Sequence, residues 1–90
     1  MLIQVIKSNR IGKRFMAIFS NGEKIHFGSS VGSTYIDHHD KTKRMNYLKR
    51  HQVNEEWNDP YKAGTLSAFI LWGRNTNILD NIKDFNKMFF

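Results

Sequence analysis

Residues 14–27 place the tightest limit on what this chain can fold into. In Arg14-Phe15-Met16-Ala17-Ile18-Phe19, the residues Phe15, Ala17 and Phe19 alternate with Arg14, Met16 and Ile18. Lys24-Ile25-His26-Phe27 repeats the pattern, with Ile25 and Phe27 on one side and Lys24 and His26 on the other. Successive side chains of a strand point to opposite faces, so each run has one apolar face to bury. Between them stands Ser20-Asn21-Gly22-Glu23. Asn-Gly between two strand-like runs predicts a hairpin, because both central residues of a type I′ turn need positive φ. Upstream, Leu2-Ile3-Gln4-Val5-Ile6 is short, apolar and β-branched, and Asn9, Arg10 and Gly12 turn the chain back before Arg14. The expectation is a three-stranded antiparallel meander.

The rest of the chain reads as helix. Gly28 to Thr34 holds two glycines and three serines. It lacks the Gly-Lys-Ser/Thr ending of a Walker loop and reads as a connector. A basic helix follows, from Asp37 or Asp40 to Gln52, capped by Ser33, Thr34 or Asp37, with a thin stripe of Met45, Tyr47 and Leu48 toward the sheet. Asp59-Pro60 predicts the next helix start, with Asp at the N-cap and Pro at the first helical position. That helix runs to Trp72 and stops at Gly73; Leu66, Phe69, Ile70 and Trp72 make it the core helix, and Gly64 suits a close approach to the sheet. A final helix begins after Thr76 or Asn77, and Ile78, Ile82, Phe85 and Phe89 share one face. The fold class is therefore α+β: a meander followed by about three helices packed on one face, as a single small basic domain over residues 1–90.

Composition removes several functions. The 90 residues include no cysteine, which excludes a disulfide scaffold, a thiolate zinc finger, an iron–sulfur site and a cysteine nucleophile. The longest apolar run, Ala68 to Trp72, is far short of the roughly 20 residues that span a bilayer. Met1 to Lys7 has no basic n-region and no small-residue cleavage site. The expectation is a soluble protein that stays inside the cell that makes it and has no membrane partner.

Charge is distributed unevenly. The formal net charge is +6; residues 1–54 hold ten Lys/Arg against three acids, and residues 55–90 hold four against five. Lys41 to His51 carries five basic side chains and no acid. Such a block concentrates positive potential and attracts polyanions, or serves as a solvated face that keeps the protein soluble.

Three segments together carry a resemblance: Phe19-Ser20-Asn21-Gly22-Glu23-Lys24-Ile25-His26-Phe27-Gly28; Arg44-Met45-Asn46-Tyr47-Leu48-Lys49-Arg50-His51 followed by Glu55, Glu56 and Trp57-Asn58-Asp59-Pro60; and Ala63-Gly64-Thr65-Leu66-Ser67 leading to Leu71-Trp72. They resemble a small uncharacterised protein family encoded by giant viruses, the nucleocytoplasmic large DNA viruses, over most of residues 14–89. The resemblance implies a viral origin. With it comes a place in the cytoplasm, viral factory or nucleus of the infected host, or in the virion. It supplies no settled activity and no catalytic residue. That family pattern sets Lys or Arg and a single His before the acidic residue opening the basic helix; this chain has His38-His39-Asp40.

Catalytic chemistry finds little support. His38 and His39 are adjacent and diverge by about 100° on a helix, and the His-x₃-His zinc pair is missing, so no metal or cofactor is expected. No serine sits in a Gly-x-Ser-x-Gly elbow. Glu55 and Glu56 read as solvated acids or helix-dipole partners, and no catalytic residue is assigned.

Binding of DNA or RNA through phosphate contacts has the better physical case. Its candidate residues are Lys13 and Arg14 at a strand start, Lys24 and His26 on one sheet face, and Lys41, Lys43, Arg44, Lys49 and Arg50 on the basic helix. Phosphate contacts position a protein without reading sequence, and their affinity falls steeply with salt. Tyr35, Tyr47 and Trp57 are candidates for stacking on bases or for packing. The rival reading is a protein-interaction or virion structural module, a homodimer or the partner of a viral or host protein. It would use Trp57, Phe69, Trp72, Phe89 and Phe90 as an interface.

Overall fold

The computed structural model describes residues 1–90. Strands β1 (Leu2–Lys7), β2 (Lys13–Phe19) and β3 (Lys24–Ser29) form one antiparallel sheet in the order β1-β2-β3. Helices α1 (Tyr35–His38), α2 (Lys41–Gln52), α3 (Ala63–Leu66) and α4 (Ile78–Phe89) follow, and α3 passes directly into a π-helical turn, Ser67–Leu71. The protein is α+β with a meander, as the alternation in β2 and β3 predicts. No helix is long and apolar enough to cross a membrane.

The pairing explains the burial. Val5, Ala17 and Ile25 lie across from one another, as do Phe15 and Phe27. Leu2, Ala17, Phe19 and Phe27 meet Leu66, Ile70, Leu71 and Phe85 in one core. α3, the π turn and α4 thus cover this face of the sheet, while Lys24 and His26, alternating with Ile25 and Phe27, point away from it. At the start of β1 the register slips between Leu2 and Gln4. There the Asn86 side chain of α4 clasps Leu2: its Oδ1 accepts from Leu2 N at 2.9 Å and its Nδ2 donates to Leu2 O at 2.8 Å.

Several local expectations are corrected. The β2–β3 turn is not type I′. Gly22 has φ +91°, but Asn21 does not have positive φ. Gly22 N donates to Phe19 O at 3.0 Å, the geometry of a type I turn closed by a left-handed glycine. The helix expected from Pro60 begins at Ala63, with Lys62 at its N-cap. Asp59 instead makes an Asx turn, its Oδ1 accepting from Tyr61 N at 2.9 Å. Its far end closes in a π turn, Trp72 N donating to Ser67 O at 3.0 Å.

The two glycines of this region serve close packing. A Cβ on Gly73 would strike the Phe69 carbonyl and lie 2.7 Å from the Asn81 side chain. Gly64 makes room for the Glu55 carboxylate, 2.6 Å from where its Cβ would stand, and not for the sheet. Asn81 itself is buried and fully used. Its Nδ2 donates to Ile70 O and Asn75 O at 2.9 Å each, and its Oδ1 accepts from Asn75 N at 3.0 Å.

The one-turn helix α1 is an element that the sequence pattern does not separate from α2. His39, at φ 57°, ends it in the left-handed region, one of the conformations that histidine tolerates better than most residues. Asp40 then caps α2 afresh, in place of the expected Ser33, Thr34 or Asp37; Thr34 and Asp37 form the capping box of α1 instead. α2 does not lay an apolar stripe on the sheet: Met45 is 60 % exposed, and the helix rests on α1 and on Trp72.

Candidate nucleic-acid interface

α2 is positioned by its cap and by a few side chains. The Asp40 Oδ1 accepts from Thr42 N at 2.9 Å and Lys43 N at 3.1 Å, which satisfies donors that the first turn leaves free. Lys49, Arg50 and His51 occupy the last turn, where the helix dipole favours cations. Arg44 Nε donates to the carbonyls of Trp72 and Gly73 at 2.9 and 3.1 Å, and its guanidinium lies 5.6 Å from the Tyr35 ring centroid.

A ladder of rings completes the anchorage. Tyr47 stacks on Trp72 at 4.2 Å and 5°, and His51 stacks on the other side of Tyr47 at 4.0 Å and 28°. Both faces of Tyr47 are therefore occupied by the protein itself, which removes it as a platform for bases. Burial, with the nearby Glu55, pushes the Tyr47 phenol up to about 12, so it keeps its proton. Tyr35 is buried, and Trp57 packs its ring edge-on to Phe69 at 6.0 Å.

The structure sorts the nine candidate residues into groups. Lys41, Lys43, Arg44, Lys49 and Arg50 all sit on α2, which contains no acid and buries no residue. The protein's three ion pairs, Arg14–Asp37, His51–Glu55 and Arg74–Asp84, involve none of these five. Lys41, Arg44 and Lys49 line a cavity of about 340 Å³ on one flank, together with Arg74. On the other flank Lys43 and Arg50 line a cavity of about 350 Å³. Lys13 joins Arg50 in the next cavity, of about 450 Å³, between the loop after β3 and the π turn. α2 is thus a ridge with cationic walls on both sides.

The other three residues behave differently. Arg14 makes a two-pronged pair with Asp37, both contacts 2.7 Å, and a further bond to Thr34 Oγ1 at 3.2 Å. The Arg14 guanidinium, assisted by Thr34, holds the Asp37 carboxyl well below the usual carboxylate range. Arg14 is therefore spent on tying β2 to α1. The His26 Nδ1 is 2.7 Å from Ser8 Oγ. Burial, then the charges of Arg10 and Lys13, lower its pKa, so at neutral pH it is an uncharged ring. Lys24 is exposed beside it on the open sheet face, away from α2.

Arg74 is the residue that sequence reasoning missed. It stands in the segment before α4, where no local pattern links it to α2. Asp84 holds part of its charge at 2.7 and 3.1 Å and raises its pKa further.

One comparison with known proteins is informative: residues 3–51, more than half of the chain, match a family of unknown function. The chain belongs to DUF5754. The matched span of DUF5754 covers the sheet, α1 and α2 as far as His51, and so includes all nine candidate residues. No curated protein and no solved structure shows a match.

The aromatic candidates for a protein interface lie outside that span. Phe69, Trp72 and Phe89 pack against the core. Trp72 is committed to Tyr47, and Phe89 touches Phe69 and Phe85 at 5.9 and 4.9 Å. Phe90 is 49 % exposed. Trp57 and Phe69, with Leu48, Phe85 and Met88, line an apolar groove of about 470 Å³ between α2 and α4. His38, His39 and His51 do not assemble a ligand set, and no group of three His, Asp or Glu side chains is placed to hold a metal.

Proposed function

We propose that this DUF5754 protein is a non-enzymatic, sequence-independent nucleic-acid-binding protein, acting in the viral setting that the resemblance implies. One observation carries the reading: five cations on one twelve-residue helix, none buried and none paired with an acid. Cations that neutralise phosphates release condensed counterions, so several acting together give tight, salt-sensitive binding. Lys13 extends the surface past the end of α2, whereas Arg74 on the other flank is paired with Asp84 and adds no net charge. Arg14 and His26 contribute no net charge to it.

The test is binding of generic DNA and RNA over a salt series, with the wild type and a Lys41, Lys43, Lys49 and Arg50 charge-reversal variant. Arg44 is left intact because it also holds α2. Affinity should fall steeply with salt, and the slope of log K against log salt should shrink by about 0.9 for each phosphate that is no longer neutralised. The variant should stay folded, losing only the small dipole contribution of Lys49 and Arg50 at the end of α2, and should lose binding. Affinity that does not change between low and physiological salt removes the proposal.

The groove lined by Leu48, Trp57, Phe69, Phe85 and Met88 favours the second reading, a protein-interaction module. Light scattering across a concentration series tests its homodimer form; a monomer at high concentration excludes that form.

A further inference from the structure

Two cavities of opposite character adjoin on the flank of α2 that carries Lys41. One is cationic: Lys41, Arg44 and Lys49 line about 340 Å³, and no carboxylate faces it. The other, of about 470 Å³ between α2 and α4, is apolar. Half-buried Leu48, Trp57 and Phe69, buried Ala68 and Phe85, and exposed Met88 line it. Arg44, Leu48 and Arg74 belong to both linings, which makes the two cavities neighbours. Asp84 is the single acid in the two linings, and its charge is already met by Arg74. Lys87, at the edge of the apolar cavity, makes no ion pair.

The backbone of a duplex uses only the first of these cavities. Its phosphates meet the cations of α2, while its paired bases stay stacked and leave the apolar groove open to water. An exposed apolar cavity of this size, with a few polar groups at its edge, is the usual form of a binding site. A single strand offers beside each phosphate a planar base with apolar faces and polar edges. The two adjoining cavities match the two halves of such a nucleotide. Lys41, Arg44 and Lys49 suit the phosphate, the Trp57 and Phe69 side suits the face of a base, and Arg74, Asp84 and Lys87 border the groove where polar edges emerge. An uncharged protein partner has no use for the cations next to the groove; the surplus of positive charge calls for an anionic occupant.

We infer that the groove between α2 and α4 receives an unstacked base, so that the protein's ligand is single-stranded nucleic acid. The inference rests on the nucleic-acid reading and adds the strand type to it. Contact between a base and aromatic side chains gives affinity without reading sequence, because every base has an apolar face. Electrostatics alone orders the ligands the other way. A duplex has the denser charge and releases more counterions per phosphate neutralised than a single strand does. A preference for the single strand therefore requires a contact that the bases themselves make.

The experiment measures binding by fluorescence anisotropy at one fixed salt concentration, with three probes of equal length. They are oligothymidine, its duplex with oligodeoxyadenosine, and an abasic strand that keeps the phosphates and lacks the bases. Oligothymidine should bind about tenfold more tightly than either of the others. Trp57→Leu keeps an apolar side chain and removes an enclosed indole N–H that has no hydrogen-bond partner, so the fold should tolerate it. It should abolish most of the tenfold preference and leave the affinity for the abasic strand unchanged. Met88→Gln, at a position 55 % exposed, should lower the preference a few-fold and stands in if Trp57→Leu does not fold. Equal affinity for oligothymidine and the abasic strand overturns the base site and leaves the wider reading standing. A preference for oligothymidine that both variants retain puts the base elsewhere and overturns the assignment of the groove. Failure to bind any of the three probes overturns both readings.

Discussion

α2 and α4 are each twelve residues long, yet they are held in place by opposite means. α4 drives Phe85 into the core with no exposed surface, buries Asn81 as a hydrogen-bond hub, and clasps the edge strand through Asn86. α2 buries no residue. It hangs from the Asp40 cap, the Arg44 Nε and the Tyr47–Trp72 stack. Most side chains of α4 that face inward are explained by packing. The cations of α2 other than Arg44 have no such explanation: removing them leaves the core, the cap and every ion pair intact. Two helices of equal length thus divide the work, one closing the fold and the other presenting charge.

The contrast can be broken most severely at Phe85. Phe85→Ala should cost about 3–5 kcal/mol, because it leaves a cavity where sheet and helices meet. Chemical denaturation measures this, and a change below about 1 kcal/mol would show that α4 is not the closing element. Tyr47→Ala should act locally. It removes the central ring of the ladder, worth about 1 kcal/mol beyond the apolar area it uncovers. Hydrogen exchange should then speed up in α2 while the sheet and α4 stay protected; a uniform drop in protection would make α2 part of the cooperative core.

The smallest effect is expected at Asp37, and it depends on pH. Its folded pKa is depressed, chiefly by the Arg14 hydrogen bonds. The stabilisation is therefore complete above the unfolded value of about 3.9 and is lost as pH falls toward the folded value. Asp37→Asn should remove it at all pH values and flatten the acid limb of the stability curve. Both partners are partly exposed, so the effect at neutral pH should stay under about 1 kcal/mol. An unchanged acid limb would mean that the clamp between β2 and α1 contributes nothing.

Much of the fold was legible because its causes are local. The alternation of Phe15, Ala17 and Phe19 announces β2, and the polar, basic run to Gln52 announces α2, although its cap is Asp40 rather than Ser33, Thr34 or Asp37. The inward face of α4 could be read from Ile78, Ile82, Phe85 and Phe89, all of which pack into or against the core. The start of α3 was misread because Asp59-Pro60 satisfies two local motifs equally well, an N-cap and an Asx turn, and the neighbouring packing chose the turn. Asn81 and Asn86 gave no signal at all. A polar residue on a helix announces a hub or a clasp only once Ile70, Asn75 and Leu2 are brought beside it.

The charged surface shows the same division. That Lys41, Lys43, Arg44, Lys49 and Arg50 lie together was determined by the sequence, since neighbours on one helix cannot be far apart. Which cations remain free was decided by the tertiary structure alone. Asp37 returns to β2 and neutralises Arg14, and Arg74, which arrives from another element beside Lys41 and Lys49, is held by Asp84. Proximity along the chain brings charges close to one another. Whether a charge stays available depends on partners that only folding brings within bonding distance.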